Sequence, residues 1–263
     1  MRSKRVRTMS KTFPGGYPPE YGAQTLDISV RGRRRSVDIY SPEGRDLLAR
    51  LWTRSGWQNK FTYDITWLGI PIIQLPEDIL IMQEVIYKVR PDWIIETGTA
   101  HGGTAVFYAS ILELLGRGHV LSIDVEIRKY NRLAIQSHPM SKRITLVEAG
   151  STSAAARSAV RKHIRPKDTV LVCLDSNHTK AHVLRELEIY SRWVSPGSYL
   201  VVFDGVMEWV ADAPSAKPGW MSDNPTAAVR TFLARHREFE IDSYYNRLGV
   251  TYCPGGFLRR KPD

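Results

Sequence analysis

The chain has 263 residues, of which 43% are hydrophobic and 24% are charged. This composition is typical of a globular protein and excludes a disordered chain, a collagen and a coiled coil. No run of 18 apolar residues occurs, and no apolar segment follows the basic N-terminus, which argues against a transmembrane helix and a secretory signal. The two cysteines, Cys173 and Cys253, lie far apart, so we expect no disulfide framework and a cytoplasmic protein.

The net charge of +10 belongs mainly to the first part of the chain. Residues 1–60 hold 13 Lys and Arg against 5 Asp and Glu, a net charge of +8, with clusters at Arg2–Arg7 and Arg31–Arg35. We therefore divide the chain into a basic N-terminal arm, 1–60, irregular over residues 1–30, and a main domain, 61–263. A basic arm can attract anionic partners or acidic membrane surfaces; the alternative is a solvated tail without a partner. No later stretch interleaves bases with stacking aromatic residues, which argues against nucleic acid as the partner.

The predicted elements follow one another in a regular order. Apolar residues at helical spacing predict a helix over residues 43–57, and Pro76, followed by two acidic residues, begins another that runs to about Lys88. Five apolar segments separated by helical patterns then predict buried parallel strands, at residues 92–97, 119–124, 144–150, 168–175 and 198–204. Two last stretches, 239–246 and 249–260, predict an antiparallel pair joined by a short turn. This order is typical of an α/β fold.

A glycine-rich turn follows the first of these strands, at the place where ligands bind in an open α/β sheet. The strand runs through Glu96, and a helix is predicted to begin near Gly102. Gly98 permits a tight turn, and Gly102 and Gly103 let the backbone approach a ligand at the helix N-terminus. The other candidate residues of the turn are Thr99 and His101. Taken alone, the turn fits a nicotinamide, a flavin, S-adenosylmethionine, or a structural role without a ligand.

Two more strand ends carry residues suited to an adenosine. Asp124 ends the second strand, 26 residues after Gly98, and its carboxylate can accept hydrogen bonds from both ribose hydroxyls; the alternative is a helix N-cap. Gly150 and Ser151 follow the third strand as a small loop that can face the adenine ring, and Ser151 can also cap the next helix. Glu96 would repel a pyrophosphate and attract the ammonium of a methionine moiety, which favours S-adenosylmethionine over a nicotinamide.

A second set of polar residues follows the fourth and fifth strands. Asp175 and Asp204 end these neighbouring strands, and their carboxylates suit Mg²⁺; the alternatives are two helix N-caps or a carboxylate pair in a polar cleft. His178 is predicted on the first turn of the next helix, at the mouth of the same cleft, where it can act as a general base. His182 lies one turn further along, on the same face, and Lys180 is a weaker candidate base.

A long loop, residues 206–225, follows the fifth strand and carries Trp209 and Trp220. Loops of this length in compact domains are usually functional, and these rings suit stacking against a sugar or an aglycone; the alternative is that they cover the core. Tyr244 and Tyr245 lie at the predicted turn of the last pair of strands, where they can line the same pocket.

Several segments together carry a family resemblance: ETGTAHGGTAVFYAS, VLSIDVEIR, LDSNHTKAHVLRELEIY, SPGSYLVVFD and GGFLRR. In these segments, and in the lead-in TWLGIPIIQLPEDILIMQEVI, the chain resembles the cephalosporin hydroxylase/rhamnosyl O-methyltransferase family over about residues 65–260. The resemblance implies a class I methyltransferase fold, an α/β Rossmann-like domain with seven mostly parallel strands and a C-terminal antiparallel hairpin. It also implies S-adenosylmethionine as the methyl donor and a divalent metal.

Carried over by position, the resemblance also implies roles for individual residues. It assigns metal binding to Asp175 and Asp204, and His178 stands where the similar catechol-type O-methyltransferases place a basic residue. Where relatives have an acidic pair at the end of the fifth strand, this chain has Phe203 before Asp204, so one metal ligand is missing or replaced by water. The residues implied to bind the donor are Glu96, Gly98, Gly102, Gly103, Asp124 and Ser151.

The sequence therefore predicts an S-adenosylmethionine-dependent O-methyltransferase that acts on a hydroxyl of a sugar or glycosylated natural product. Mg²⁺ held by Asp175 and Asp204 would lower the pKa of that hydroxyl, and His178 would take its proton. The expected partner is a small-molecule acceptor, and the resemblance is compatible with a homo-oligomer. The alternatives are a catechol-like or antibiotic acceptor, an RNA methyltransferase that uses the basic arm, a nicotinamide-dependent oxidoreductase, and a non-catalytic donor-binding scaffold.

Overall fold

A computed structural model describes residues 25–30 and 32–262 of the chain. The chain divides into two compact units, residues 1–49 and 50–263. The basic cluster Arg2–Arg7 lies outside the described residues, and the domain boundary expected at residue 60 stays a prediction. Among the described residues, no helix combines the length and the apolar content needed to cross a membrane.

The first unit contains an antiparallel hairpin made of β1 (Thr25–Val30) and β2 (Arg33–Asp38). The expectation of an irregular arm is therefore wrong for residues 25–30. Leu26 and Ile28 are half-buried and alternate with exposed polar residues, which is the period-two pattern of a strand. The arginines on either side of the turn obscure this short pattern in the sequence. The unit also contains the start of α1 (Pro42–Gln58), which confirms the helix predicted over 43–57.

The second unit is built on a seven-stranded sheet within the described residues, preceded by a small hairpin of β3 (Thr66–Trp67) and β4 (Ile70–Pro71). The strands of the large sheet are β5 (Trp93–Thr97), β6 (His119–Asp124), β7 (Ile144–Glu148), β8 (Val170–Leu174), β9 (Tyr199–Val202), β10 (Phe239–Ile241) and β11 (Phe257–Arg260). They lie in the order β10-β11-β9-β8-β5-β6-β7. The strands from β9 to β7 are parallel, and β11 is antiparallel to both of its neighbours. The predicted fold class is confirmed.

Helices cover both faces of this sheet. Successive strand residues point to opposite faces, so that Ile94 joins the core under α2 and α3, and Ile95 joins the core under α5, α6 and α7. Each fully buried side chain of this kind contributes about 1.5–3 kcal/mol to folding. The helices are α2 (Pro76–Val89), α3 (Gly103–Leu114), α4 (Lys129–Ser137), α5 (Ala154–His163), α6 (Lys180–Tyr190) and α7 (Pro225–Leu233).

The connection between the last two strands is longer than the sequence suggested. A single 3-10 turn, Ser243–Asn246, lies between β10 and β11, and the rest of residues 242–256 is irregular. The side chain of Asn246 holds this segment together, because its Nδ2 donates to the carbonyl of Cys253 at 3.0 Å and its Oδ1 accepts from the Gly255 N–H at 2.9 Å. The expectation of a short hairpin turn is therefore wrong.

The order of the strands places a crevice at the end of β5. β5 lies between β6 and β8. From β5 the chain continues to β6 and β7 on one side, and it then crosses to β8 and β9 on the other side. Ligands of open α/β sheets bind at the point where the strand order reverses in this way. The turn after β5 packs directly against the end of β8. A Cβ atom on Gly98 would lie 2.1 Å from the carbonyl oxygen of Asp175, and Gly98 has a φ of 93°. Glycine is required here by both the turn and the close approach.

Candidate active site

A cavity of about 540 Å³ opens at the carboxyl ends of β5, β8 and β9. The turn after β5 forms one wall with residues 98–104, and Asp175, His178 and Asp204 come from the ends of β8 and β9. The rest of the lining comes from segments outside the sheet. Its main members are Trp57, Lys60, Tyr63, Gln74, Lys217, Trp220 and Tyr252.

Two carboxylates and one imidazole meet in this cavity. Asp175, His178 and Asp204 each offer one ligand atom, and the three atoms lie within 4.8 Å of one another. His178 Nε2 is 3.2 Å from Asp204 Oδ2. The structure therefore brings together the three residues that the sequence assigned to metal binding and proton transfer.

The electrostatics of this group favour a cation. Burial raises the pKa of Asp175 well above its ordinary range, and the charge of Asp204 raises it further. Burial also raises the pKa of Asp204, against the opposing effect of His178. Two carboxyl groups that repel each other in a low-dielectric site are stabilised by a bound cation, and oxygen ligands suit Mg²⁺. The residues present therefore fit a divalent cation.

Neither aspartate caps a helix through its side chain. The N-cap of α6 is Thr179, and Asp204 occupies the N-cap position of the short 3-10 helix Gly205–Glu208 without a capping hydrogen bond from its side chain. Asp175 Oδ2 instead accepts a hydrogen bond from Gln74 Nε2 at 2.9 Å. Gln74 Oε1 is buried without a hydrogen-bond partner among the described residues, and it belongs to a residue that lines the cavity. Such an orphaned acceptor suits a ligand hydroxyl.

The predicted positions of the two histidines need correction. His178 lies in the loop before α6, which begins at Lys180, and not on the first turn of the helix. His182 belongs to a separate polar network outside the lining of the cavity. Its Nε2 lies 3.1 Å from Ser151 Oγ, 3.3 Å from Ser176 Oγ and 3.5 Å from a Glu186 carboxylate oxygen. The structure therefore places His182 outside the cavity that contains His178.

Asp124 organises the glycine-rich turn. Its Oδ2 accepts hydrogen bonds from the N–H groups of Thr99 at 2.8 Å and Ala100 at 3.1 Å. Its Oδ1 accepts the N–H of Glu126 at 3.2 Å. Asp124 therefore couples the end of β6 to the turn after β5, and its ribose-binding role stays a prediction. Thr99 and His101 both line the cavity.

Glu96 is buried beside the turn and lies outside the cavity lining. Its carboxylate accepts a hydrogen bond from the Ser122 hydroxyl, and Ser122 Oγ lies 2.7 Å from Thr99 Oγ1. Burial raises the pKa of Glu96 to about 7. The sequence argument assumed a fully charged Glu96 facing the ligand. Its burial favours the neutral carboxyl group, and its contact with the methyl donor stays a prediction.

The glycines at the start of α3 are required by packing within the chain. A Cβ atom on Gly102 would lie 2.3 Å from Ile135 Cδ1, and one on Gly103 would lie 2.2 Å from the carbonyl oxygen of Pro71. Both glycines also line the cavity, and the close approach of a ligand to their backbone stays a prediction. Gly150 is different, because a Cβ atom there would meet only open space.

Ser151 does not cap the helix that follows it. The N-cap of α5 is Ser153, whose side chain accepts the Ala156 N–H at 3.1 Å. Ser151 is buried and bonds to His182 through its hydroxyl, while its carbonyl accepts from the Tyr190 hydroxyl at 2.6 Å. The cap alternative is wrong, and contact with an adenine ring stays a prediction.

Of the four aromatic residues expected near the acceptor, Trp220 lines the cavity. Its ring packs edge-on against Trp57 with a centroid distance of 5.9 Å, and Trp57 packs edge-on against Tyr252 at 5.1 Å. These three rings, which we call the aromatic wall, all belong to residues that line the cavity. Trp57 and Tyr252 had no distinguishing signal in the sequence, since both come from segments far from the strand ends.

The other three aromatic residues lie outside the cavity lining. The guanidinium of Arg50 stacks over Trp209 at 5.0 Å from the ring centroid. Tyr245 is buried against Tyr199, with ring centroids 5.4 Å apart. Tyr244 is exposed and stacks with the Arg247 guanidinium at 4.1 Å. The structure therefore does not bring Trp209, Tyr244 or Tyr245 to the predicted acceptor pocket.

Gln74 is a site residue that sequence reasoning missed although a signal was present. It is a polar residue at the end of the apolar run IPIIQ, just before the helix start at Pro76. A polar side chain at the edge of such a run often serves a site rather than the core. Lys60 and Lys217 also line the cavity, but nothing in their local sequence distinguishes them from other surface lysines.

Comparison with known proteins gives the family of the chain. A family model described as Rhamnosyl O-methyltransferase/CmcI matches residues 59–261. The chain is 28% identical over 231 residues to a rhamnosyl O-methyltransferase of Mycobacterium leprae (strain TN), covering 85% of this chain and 94% of that protein. It is 30% identical over 233 residues to a rhamnosyl O-methyltransferase of Mycobacterium bovis (strain BCG / Pasteur 1173P2), covering 84% and 88%.

A likeness of fold extends to solved structures. A structure of CmcI, described as containing Mg and SAM, is similar with a TM-score of 0.53 and 17% identity, over 75% of this chain and 77% of that one. The resemblance predicted from the sequence is thus confirmed, as is the expected kind of enzyme. The chain belongs to the rhamnosyl O-methyltransferase/CmcI family of O-methyltransferases.

Proposed function

We propose that this chain transfers the methyl group of S-adenosylmethionine to a hydroxyl of a sugar or glycosylated metabolite, with the help of a divalent cation such as Mg²⁺. The observation that carries the proposal is the meeting of Asp175, His178 and Asp204 in one cavity, against the glycine-rich turn. Family membership supports methyl transfer to oxygen, and the curated relatives act on a rhamnosyl group.

The donor would bind at the turn after β5. Asp124 fixes two N–H groups of this turn, and the N-terminus of α3 follows at once. The CmcI structure described with Mg and SAM has the same kind of fold, which supports S-adenosylmethionine as the donor. Asp124 itself would hold the ribose, and Gly150 borders open space suited to the adenine ring.

The acidic pair would hold the cation, and His178 would move the proton. Asp175 and Asp204 would supply the carboxylate ligands, with Gln74 fixing the orientation of Asp175. A bound divalent cation supplies positive charge that lowers the pKa of a nearby hydroxyl group. His178 Nδ1 would accept the hydroxyl proton, and the carboxylate of Asp204, 3.2 Å from Nε2, would stabilise the imidazolium that results.

The aromatic wall would orient the acceptor. Trp57, Trp220 and Tyr252 line the cavity and pack edge-on against one another, and aromatic surfaces pack well against the apolar face of a sugar ring. Holding donor and acceptor in line can lower the barrier by about 7–11 kcal/mol. Exclusion of water by the same rings would protect the sulfonium and strengthen the electrostatic interactions of the site.

The proposal is tested by calorimetric titration of the full chain with S-adenosylmethionine, with and without Mg²⁺, and with reduced nicotinamide dinucleotide as the control. We expect saturable binding of the methyl donor and none of the nicotinamide. Sugar and glycoside acceptors are then screened by mass for a gain of one methyl group. Failure of the donor to bind in both metal conditions, or acceptor turnover that continues unchanged in a chelator, would contradict the proposal.

A further inference from the structure

A second cavity, of about 520 Å³, lies between α5, α6 and the short turn that follows α6. Its lining has no residue in common with that of the candidate active site. Four of its seven lining residues are arginines, and we call this group the arginine cavity. The arginines are Arg157 and Arg161 from α5, Arg185 from α6 and Arg192 from the turn.

Among the described residues, none of these four guanidinium groups forms an ion pair with a carboxylate. Arg157 donates to the carbonyl of Thr152 at 2.8 Å, which leaves its charge uncompensated. The one carboxylate in the lining belongs to Glu188, and it bonds to His236 Nε2 at 3.0 Å. The lining therefore carries four positive charges and one negative charge, a net charge of +3.

This concentration of charge contrasts with the rest of the main domain. Residues 61–263 carry a net charge of only +2. Arginines elsewhere in the described part of this domain form ion pairs with carboxylates, as Arg143 does with Glu113 at 2.5 Å. Four like charges in one concave site repel one another. Such a site is stabilised by a multivalent anion.

The chemistry of the lining identifies the kind of anion. Guanidinium groups form paired hydrogen bonds with phosphate oxygens in a fixed planar geometry. One phosphate group carries a charge of about −1.5 to −2 at neutral pH, so two phosphates match the net charge of +3 and one does not. The remaining wall consists of Ile189 and the half-buried indole of Trp193, which suits an apolar group attached to the phosphates.

We propose that the arginine cavity binds a diphosphate group, distinct from the methyl donor and the acceptor. The group can belong to a free molecule, such as a nucleoside diphosphate, or to the headgroup of a lipid. The site stands on its own observations and does not depend on the proposed methyl transfer.

The first test is calorimetric titration of the full chain with inorganic pyrophosphate and, separately, with inorganic phosphate. We expect one pyrophosphate per chain, bound at least tenfold more tightly than phosphate and weakened by added salt. The double variant Arg161→Gln/Arg185→Gln removes two exposed guanidinium groups and should weaken pyrophosphate binding at least tenfold. The matched control, Arg235→Gln/Arg237→Gln, removes the same charge outside the cavity and should leave the affinity unchanged.

The second test separates the two sources of the diphosphate. The chain is sedimented with phosphatidylcholine vesicles that contain or lack a lipid with a diphosphate headgroup, an isoprenoid diphosphate. Binding of free pyrophosphate supports the proposal with a soluble ligand. Vesicle binding that the cavity variant alone abolishes supports it with a lipid ligand.

Three results would overturn the proposal. One is the absence of binding in both tests. The second is an equal loss in the cavity variant and the control variant, which would indicate attraction by net charge alone. The third is a loss of self-association in the cavity variant without any anion binding, which would identify the cavity as an interface between copies.

Trp193→Phe adds a spectroscopic check, because it should remove the fluorescence change on pyrophosphate binding while keeping the affinity within about threefold.

Discussion

The imidazole of His178 lies 3.2 Å from the carboxylate of Asp204, although the two residues follow different strands of the sheet. This contact joins the loop after β8 to the loop after β9. It also sets the orientation in which His178 can receive a proton, since one ring nitrogen is fixed by the carboxylate. Asp204 holds this position with a φ of 57°, a left-handed backbone conformation that costs a non-glycine residue about 1–3 kcal/mol.

Asp175→Asn should separate catalysis from donor binding. The amide keeps the size of the side chain but removes the negative charge that would hold the cation. We expect methyl transfer to fall at least about a hundredfold, since charge stabilisation by a metal amounts to several kcal/mol. The affinity for S-adenosylmethionine, measured by calorimetry in the presence of Mg²⁺, should change less than about threefold. A large loss of donor affinity with full turnover would contradict the assignment.

His178→Gln tests whether this residue acts as a base or as a third metal ligand. A base contributes about 10²–10⁴-fold to the rate, so turnover should fall within that range while the Mg²⁺ concentration for half-maximal activity stays the same. His182→Gln is the matched control, because His182 contacts Ser151 and Ser176 rather than Asp204. An increase in the required Mg²⁺ concentration for His178→Gln would identify it as a ligand instead.

Gly98→Ala should destabilise the fold at the active site. The added Cβ would lie 2.1 Å from the Asp175 carbonyl oxygen, at a φ of 93° that L residues rarely adopt. Strain and displacement together should cost about 1–3 kcal/mol of unfolding free energy, measured by urea denaturation. Gly150→Ala is the control for stability, since its Cβ would meet open space. Equal stability of both variants would refute the packing argument.

Asp78 should make the stability of the chain depend on pH. Burial raises its pKa to about 7 from 3.8, although its carboxylate accepts hydrogen bonds from the Thr251 hydroxyl and the Tyr252 N–H. The folded chain therefore holds a proton that the unfolded chain releases above about pH 4. The contribution of Asp78 is fully present below that pH and is lost as the pH rises through about 7.

Asp78→Asn removes this titration and keeps a side chain that can bond to the same two groups. The unfolding free energy of the unsubstituted chain, measured in urea from pH 4.5 to 8, should fall relative to that of the variant as the pH rises. Glu96 has a pKa raised in the same direction and remains in both proteins, so it cancels in the difference. A difference that is constant across this range would count against the raised pKa.

Trp220→Ala should weaken acceptor binding specifically. Trp220 lines the cavity and packs against Trp57, whereas Trp209 stacks with Arg50 outside the lining. Loss of a stacking ring should raise the KM for a sugar acceptor about tenfold, since such a contact is worth about 0.5–1.5 kcal/mol beyond its buried area. Trp209→Phe should keep that KM unchanged. Similar KM values for both variants would exclude the aromatic wall from acceptor binding.

The sheet could be predicted because its strands are short apolar runs at regular spacing, and their burial between two helical layers leaves few other arrangements. For the last pair of strands, the antiparallel pairing could be predicted but the long connection between the strands could not. The run GVTYC looks like a strand, but the Tyr252 N–H donates to Asp78 on α2 instead of to a neighbouring strand. A buried carboxylate on a distant helix thus replaces strand pairing, and no local pattern signals this.

The candidate site was predictable where topology alone fixes it. Residues that directly follow parallel strands must meet at one edge of the sheet, which placed Asp175 and Asp204 correctly. Residues brought by packing of distant segments, such as Gln74 and Trp57, were missed. Tyr245 shows the opposite error, because it belongs to the core against Tyr199 although its position in a turn suggested a pocket.

The close contact between Gly98 and Asp175 holds the glycine-rich turn and the first carboxylate at a fixed separation. The backbone adds to it, since the Asp175 N–H donates to the Thr97 carbonyl at 2.9 Å and the Gly98 N–H donates to the Ile123 carbonyl at 2.8 Å. These hydrogen bonds therefore hold the ends of β5, β6 and β8 rigidly together. Such a site is preorganised, so little ordering entropy opposes binding. Any cooperativity between donor and cation should then act through charge, and high salt should diminish it.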